Sequence, residues 1–113
     1  MHELSIAMSI VELAGEEAAK AGASEISKIE VEIGSLAGIE TDALLFCWDA
    51  AIRDTMACRA ALVIHPIDAE AHCLDCGHVF PINDYYSGCP SCQGFQYRIT
   101  KGRELRIRSL TVE

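Results

Sequence analysis

The first twenty residues carry apolar side chains at the spacing of one helix face. From residue 4 to residue 20 these side chains recur every three or four positions, at Leu4, Ala7, Met8, Val11, Ala14 and Ala18. This period predicts an amphipathic helix. Gly22 follows, and it is a suitable stop because glycine adopts the left-handed conformation that ends many helices.

The next segment, SKIEVEIG, changes to a period of two. Three apolar residues, Ile29, Val31 and Ile33, alternate with charged ones. Strict alternation predicts a strand with one buried face and one solvated face. The glycines at the ends of 34–38 then predict a turn.

The segment TDALLFCWDAAIRDT, residues 41–55, returns to helical spacing. Thr41 or Asp42 is the expected N-cap, because short polar side chains satisfy the free N–H groups of a helix start. One face can hold six side chains, Leu44, Leu45, Trp48, Ala51, Ile52 and Thr55.

Two further strands are predicted in the rest of the chain. One spans about 61–65 and ends at Pro66, since proline cannot donate to a strand ladder. The other lies in the tail, where Leu105 and Ile107 alternate with arginines. The apolar positions then shift to Leu110 and Val112, which indicates a bulge or a twist.

This order of elements predicts an α+β fold. Two helices would pack on a three-stranded mixed or antiparallel sheet, with a small module inserted before the last strand. The predicted domains are residues 1–70 plus 98–113, and residues 71–97. The inserted segment is rich in cysteine and in turn-forming residues.

Charge separates the two parts of the chain. The net charge is −8, but residues 1–70 carry −9 and residues 71–113 carry +1. An acidic protein is a poor general binder of nucleic acid or anionic membranes. No segment is apolar enough to be inserted in a membrane, and Glu3 and Glu12 do not suit a secretory signal. We therefore expect a cytoplasmic protein with reduced cysteines.

Four of the six cysteines form two CxxC pairs, twelve residues apart. A tight turn at each pair would bring four thiolates, Cys73, Cys76, Cys89 and Cys92, to one tetrahedral site. Zn²⁺ suits such a site, which makes the segment zinc-ribbon-like, although iron or an iron–sulfur cluster is also possible. Four sulfur ligands leave no open position, so the role would be structural. The neighbouring His72 and His78 fit exposed positions better than exchange with a cysteine ligand.

The start of the chain, Met-His-Glu, offers a second set of metal donors. The Met1 amine, the His2 amide and imidazole, and the Glu3 amide could place four nitrogens in a square. Ni(II) and Cu(II) favour this geometry, and the Glu3 carboxylate could add an axial contact. Taken alone, these residues fit an ordinary solvated helix start better, with Glu3 favoured by the helix dipole.

Together, the segments MHELSIAMSIVELA, KIEVEIGSLAGIE and ALLFCWDAA, the paired CxxC motifs and RELRIRSLTVE resemble the HypA/HybF family. These proteins are nickel metallochaperones for [NiFe]-hydrogenase maturation. The resemblance covers essentially the whole chain and implies a non-enzymatic carrier. It implies nickel as cargo at Met1, His2 and Glu3, and structural zinc at Cys73, Cys76, Cys89 and Cys92. The implied partners are a HypB-type GTPase and the hydrogenase large-subunit precursor.

Three other functions remain open at this point. A zinc-ribbon module could bind proteins or nucleic acid without nickel transfer, using the basic residues Arg98, Lys101, Arg103, Arg106 and Arg108. A CxxC oxidoreductase is less compatible, because neither pair lies at a predicted strand-to-helix junction. A zinc hydrolase would lack an open coordination position.

Overall fold

The computed structural model describes residues 2–113. In this range it contains helices α1 (Glu3–Lys20) and α2 (Thr41–Ile52), and strands β1 (Ile26–Gly34), β2 (Ala61–Ile67), β3 (Glu70–Cys73), β4 (Val79–Pro81), β5 (Tyr97–Lys101) and β6 (Leu105–Val112). They form two three-stranded sheets, of order β2-β1-β6 and β4-β3-β5. The predicted α+β class, with two helices and a cysteine module before the last strand, is confirmed.

Helix α1 has the predicted extent, and its buried face is built mainly from small side chains. Its buried apolar residues are Ala7, Ile10, Val11, Ala14 and Ala18. The prediction that Leu4 and Met8 share this face was wrong, because both are exposed. The helix stops as expected at Gly22, whose φ is +75°. There the Ala23 N–H donates to the Ala18 carbonyl and the Gly22 N–H donates to the Ala19 carbonyl. This pair of bonds is the Schellman motif, which satisfies carbonyls left free at a helix end.

Helix α2 packs against α1 through a narrower face than the sequence predicts. Leu44, Trp48, Ala51 and Ile52 are buried, whereas Leu45 is 48% exposed. Placing Leu45 on the buried face was therefore wrong, and the helix ends at Ile52 instead of residue 55. The Trp48 indole satisfies its N–H by donating to the Ala60 carbonyl, 3.0 Å away.

The predicted N-cap of α2 was also wrong. The N-cap residue is Glu40, and no side chain of the first turn makes a capping bond. The Glu40 N–H instead donates to the carboxylate of Glu3, at 3.1 Å. A carboxylate distant in sequence therefore accepts from the N–H of the N-cap residue itself, while Asp42 lies within the first turn.

Strand β1 is the central strand of the first sheet, between β2 and β6. Its predicted alternation is confirmed, since Ile29, Val31 and Ile33 are buried. On the opposite face, Glu30 accepts hydrogen bonds from His65 on β2 and Ser109 on β6, each at 2.8 Å. β2 continues one residue past Pro66.

The second sheet is a feature that the sequence pattern did not predict. β3 pairs antiparallel with both β4 and β5. A small core of its own is formed by Ala69, Ala71, Cys73, Phe80, Ile82 and Cys89. Two of the metal-binding candidates thus belong to the apolar interior of this sheet.

The chain divides into two compact units. The first contains the chain up to Glu32, Ile39–His65 and Arg106–Glu113. The second contains Ile33–Gly38 and Pro66–Leu105. The cysteine-rich segment therefore folds together with residues on both of its sides, including β5 and the turn after β1.

A four-cysteine centre and the start of helix α1

The two CxxC segments have the same backbone conformation. In the first, Gly77 donates its N–H to the Cys73 carbonyl at 3.0 Å, and Cys73 donates to the His78 carbonyl at 2.9 Å. In the second, Gln93 donates to Cys89 at 2.7 Å, and Cys89 donates to Gly94 at 2.8 Å. We call each of these turns a knuckle.

The residue after the second cysteine of each knuckle is left-handed. Its φ is +79° at Gly77 and +64° at Gln93. Only glycine adopts this conformation without a steric cost, so Gln93 is held there by the bonds around it. The repeated turn explains why a two-residue spacing directs both sulfurs of a knuckle to one point.

The four sulfur atoms converge as a tetrahedral site requires. All lie within 4.8 Å of one another. Cys73 and Cys92 are 3.5 Å apart, and Cys76 and Cys89 are 3.6 Å apart, measured between sulfurs. A tetrahedral zinc ion with bonds of about 2.3 Å would separate its sulfurs by about 3.8 Å. The cluster therefore fits Zn²⁺ with small adjustments.

The crowded thiols differ in acidity. The backbone N–H groups of Cys76 and, less strongly, Asp75 lower the pKa of Cys73 to about 7, although burial opposes them. At Cys92 the Gly94 N–H also lowers the pKa, but the Cys73 sulfur and burial outweigh it and raise that pKa to about 12. Four thiolates at this distance thus need a cation to offset their repulsion, and zinc binds thiolates.

Neither neighbouring histidine belongs to the sulfur cluster. His72 is exposed on β3. His78 is also exposed, and its ring stacks on Phe80 with centroids 6.0 Å apart. Cys58 is exposed and Cys47 half-buried, and both lie outside the cluster.

The second candidate site lies at the start of α1. His2 is the N-cap of this helix and its side chain is exposed. The first intrahelical donor is the Ile6 N–H, which bonds to the His2 carbonyl at 2.9 Å. Glu3 is 6% exposed, with its carboxylate on the Glu40 N–H. Met1 lies outside the described residues.

No helix among residues 2–113 combines the length and the hydropathy needed to span a bilayer.

Comparison with known proteins identifies the family. A family model described as hydrogenase/urease nickel incorporation, metallochaperone, hypA matches residues 1–112. The hydrogenase maturation factor HypA of Chlorobaculum parvum is 46% identical over 113 residues, covering 100% of both chains. The chain belongs to the HypA family. The HypA of Parabacteroides distasonis is 44% identical, over 100% of this chain and 98% of the relative.

The fold is also that of HypA. The solution structure of the Ni metallochaperone HypA from Helicobacter pylori superposes with a TM-score of 0.72 at 32% identity, covering 99% of this chain and 97% of that one. Family membership makes nickel the delivered cargo, and the four-cysteine cluster fits a structural zinc ion. An interaction module without nickel transfer is not favoured.

Two features of these sites were missed in the sequence. The hydrogen bond between Glu3 and Glu40 joins positions far apart in the chain, so no local sequence motif predicts it. The likeness of the two knuckles was partly visible, since Gly77 follows the first CxxC. In the second CxxC the corresponding residue is Gln93. Its positive φ could not be predicted, because glutamine rarely adopts that conformation.

Proposed function

We propose that this chain binds Ni(II) at its N-terminus and delivers it for maturation of [NiFe]-hydrogenase. The donors would be the Met1 amine, the amide and imidazole of His2, and the Glu3 amide. The observation that carries the proposal is the exposed His2 at the first turn of α1, in a chain that matches nickel metallochaperones over residues 1–112.

The start of α1 suits a site that must release its metal. The amide groups ahead of Ile6 precede the first donor of the helix ladder, so nickel can use them without breaking intrahelical bonds. A site made from one end of the chain can be taken apart by a partner that offers better ligands. The Glu3 carboxylate accepts from the Glu40 N–H, and it could also add the axial contact to nickel.

Zinc at Cys73, Cys76, Cys89 and Cys92 would have a structural role. Two of its ligands are buried in the small core of the second unit, so the metal joins both knuckles to that core. We propose residues 71–97 as the module whose order depends on zinc, within a compact unit that also contains residues 66–70 and 98–105. Residues 1–70 plus 98–113 would be the nickel domain in the sense that their fold does not need zinc. The zinc-bound sheet would then present a surface for maturation partners.

The proposed partners are a HypB-type GTPase, which would act with the chain in nickel insertion, and the hydrogenase large-subunit precursor. The chain would work in the cytoplasm as a carrier and catalyse no reaction itself. The names of its relatives, hydrogenase maturation factors, support a role in this maturation process.

Metal analysis of protein with a native N-terminus tests the nickel site. Wild type, His2→Ala and His72→Ala would be loaded with Ni(II), desalted and analysed by mass spectrometry. His72 is a matched control, since it is also an exposed histidine but lies on β3. We expect one zinc per chain in all three proteins, and nickel in wild type and His72→Ala only.

The same experiment distinguishes a nickel carrier from an interaction module that binds zinc but transfers no nickel. If wild type retains zinc but takes up no nickel, the chain acts as a zinc-based interaction module. If His2→Ala retains nickel with wild-type affinity, the N-terminal site is wrong even though the family assignment stands.

A further inference from the structure

A groove of about 620 Å³ opens on the second unit, beside strand β5. Three aromatic side chains line it, Tyr85, Phe95 and Tyr97. Two of them are strongly exposed, Tyr85 by 57% and Phe95 by 67%, and so is the lining residue Leu74, by 56%. Apolar side chains exposed together in a concave surface are typical of a binding site.

The groove runs along the edge of a sheet. β5 is an outer strand of the order β4-β3-β5. Both Arg98 and Ile99 line the groove. Side chains of successive strand residues point to opposite faces, so a groove that both of them line follows the strand edge.

The hydrogen-bond pattern shows which backbone groups face this edge. Leu74 donates its N–H to the Gln96 carbonyl, and Cys73 pairs with Tyr97 in the register of β3 and β5. Hydrogen-bonded and non-bonded pairs alternate in an antiparallel ladder. Arg98 therefore directs its backbone groups to β3, whereas Tyr97 and Ile99 direct theirs outward. Within residues 2–113, nothing pairs with this side of β5.

The groove is positively charged, although the chain is acidic. Arg98 and Arg103 line it, and no acidic residue does. No salt bridge joins either guanidinium to a carboxylate within residues 2–113. The Arg103 guanidinium lies over the Tyr85 ring, 5.5 Å from its centroid, and the Tyr85 hydroxyl donates to the Leu36 carbonyl at 3.0 Å. These contacts hold one cation at the groove wall.

We propose that this groove binds an extended acidic segment of a partner protein, which adds to β5 as a further strand. The outward N–H and C=O groups of Tyr97 and Ile99 would pair with the partner backbone. A partner aromatic or aliphatic side chain would lie between Phe95 and Tyr85. Carboxylates flanking that side chain would bind Arg98 and Arg103, whose planar groups suit bidentate contacts.

Charge favours a short acidic peptide over nucleic acid. The second unit carries five acidic and three basic residues, so only the groove itself is cationic. A polynucleotide would extend its phosphates over the acidic surroundings, whereas a peptide places its few carboxylates within the groove. The two arginines also keep the exposed edge from pairing with another copy of itself, as charged residues on edge strands do.

Fluorescence anisotropy with a labelled peptide tests the proposal, using the zinc-loaded full chain without nickel. The probe is fluorescein-Asp-Val-Glu-Phe-Asp-Val-Glu. Saturable binding is expected, and it should disappear when lysine replaces every acidic residue of the probe. Two further probes would be N-methylated at alternate amides, in opposite phase. At least one of them should fail, because its methyl groups replace the N–H groups that face β5.

Protein variants locate the site. Arg98→Gln combined with Arg103→Gln should weaken binding at least about tenfold, because two charge contacts are lost. Arg108→Gln is the matched control, since Arg108 is an exposed arginine on β6 outside the groove, and it should change affinity by less than about twofold. Zinc content and circular dichroism would confirm that the variants are folded.

Four results would overturn the proposal. They are the absence of saturable binding, an equal loss in Arg108→Gln, undiminished binding of both N-methylated probes, and displacement of the probe by a single-stranded oligonucleotide of higher affinity. Because the assay contains no nickel, failure of the peptide to bind would say nothing against the proposed nickel site.

Discussion

The Glu3 carboxylate accepts a hydrogen bond from the backbone N–H of Glu40, at 3.1 Å. One residue begins α1 and the other is the N-cap of α2. A carboxylate at a helix N-terminus is also favoured by the helix dipole. The first turn of α1, beside the exposed His2, is therefore held against the start of the second helix.

Removing this link should lower the thermal stability of the chain. Glu3→Ala should reduce the melting temperature by several degrees, because the Glu40 N–H loses its acceptor in a partly buried position. Glu3→Gln should restore part of the loss, since an amide oxygen still accepts. Thermal circular dichroism of zinc-loaded protein measures this, with the exposed Glu12→Ala as control. Equal melting temperatures for Glu3→Ala and Glu12→Ala would mean that the bond does not stabilise the fold.

Cys73→Ser should lose zinc and disorder residues 71–97. Serine does not supply a thiolate, and Cys73 is fully buried in the core of the second sheet. Zinc analysis and hydrogen–deuterium exchange would show both effects. Cys58→Ser, which changes an exposed cysteine outside the cluster, should keep one zinc. Full zinc content in Cys73→Ser would contradict the four-thiolate site.

The left-handed residues of the two knuckles predict opposite effects of substitution. Gly77→Ala should cost about 1 kcal/mol, because a side chain strains this conformation. A clash with neighbouring atoms does not contribute to this cost, since a Cβ at residue 77 would have no other atom within 4 Å. Gln93→Gly should be neutral or up to about 1 kcal/mol stabilising. Urea denaturation of zinc-loaded protein compares them, and destabilisation by Gln93→Gly would show that its side chain matters more than its backbone.

Glu30 should contribute stability that acid removes. Hydrogen bonds from His65 and Ser109 lower the pKa of Glu30 below its ordinary value of 4.5. The unfolded chain therefore takes up this proton first as the pH falls. The contribution is complete above about pH 4.5 and is lost as the pH falls through the lower folded-state pKa.

Glu30→Gln tests this assignment through the pH dependence of the melting temperature. The variant should be less stable than wild type at pH 7, and the difference should shrink as the pH falls below 4.5. Glu16→Gln, on the exposed face of α1, is the control. A difference between wild type and Glu30→Gln that stays constant with pH would show that the charge of Glu30 is not responsible.

Local chemistry made much of this molecule predictable. The extent of α1 followed from its period and from Gly22, and the alternation of β1 followed from Ile29, Val31 and Ile33. The paired CxxC spacing indicated the sulfur cluster because each knuckle is built from bonds within six residues. The residue assignments of the nickel site stay a prediction.

The features that were missed depend on distant residues. β3, β4 and β5 contain three to five residues each, too short for a clear period, and they are stabilised by pairing with one another and by the core around Phe80. Leu45 fits a helix face by spacing, but the packing of α2 covers a narrower arc. The acceptor for the N-cap of α2 is the distant Glu3. The groove beside β5 needs Tyr85 and Phe95, from the long connection between β4 and β5, together with Arg103 from the turn after β5.

The two cysteines of each knuckle differ in exposure. Each knuckle contributes one buried cysteine, Cys73 or Cys89, and one exposed cysteine, Cys76 or Cys92. An alkylating agent, an oxidant or a competing thiophilic ion arriving from solvent will therefore meet one ligand from each knuckle first. Where the attack is oxidation of Cys76 and Cys92 to a disulfide, a reductant could restore both thiols, whereas alkylation would be permanent. The two buried cysteines would be the ligands that keep their thiols in either case.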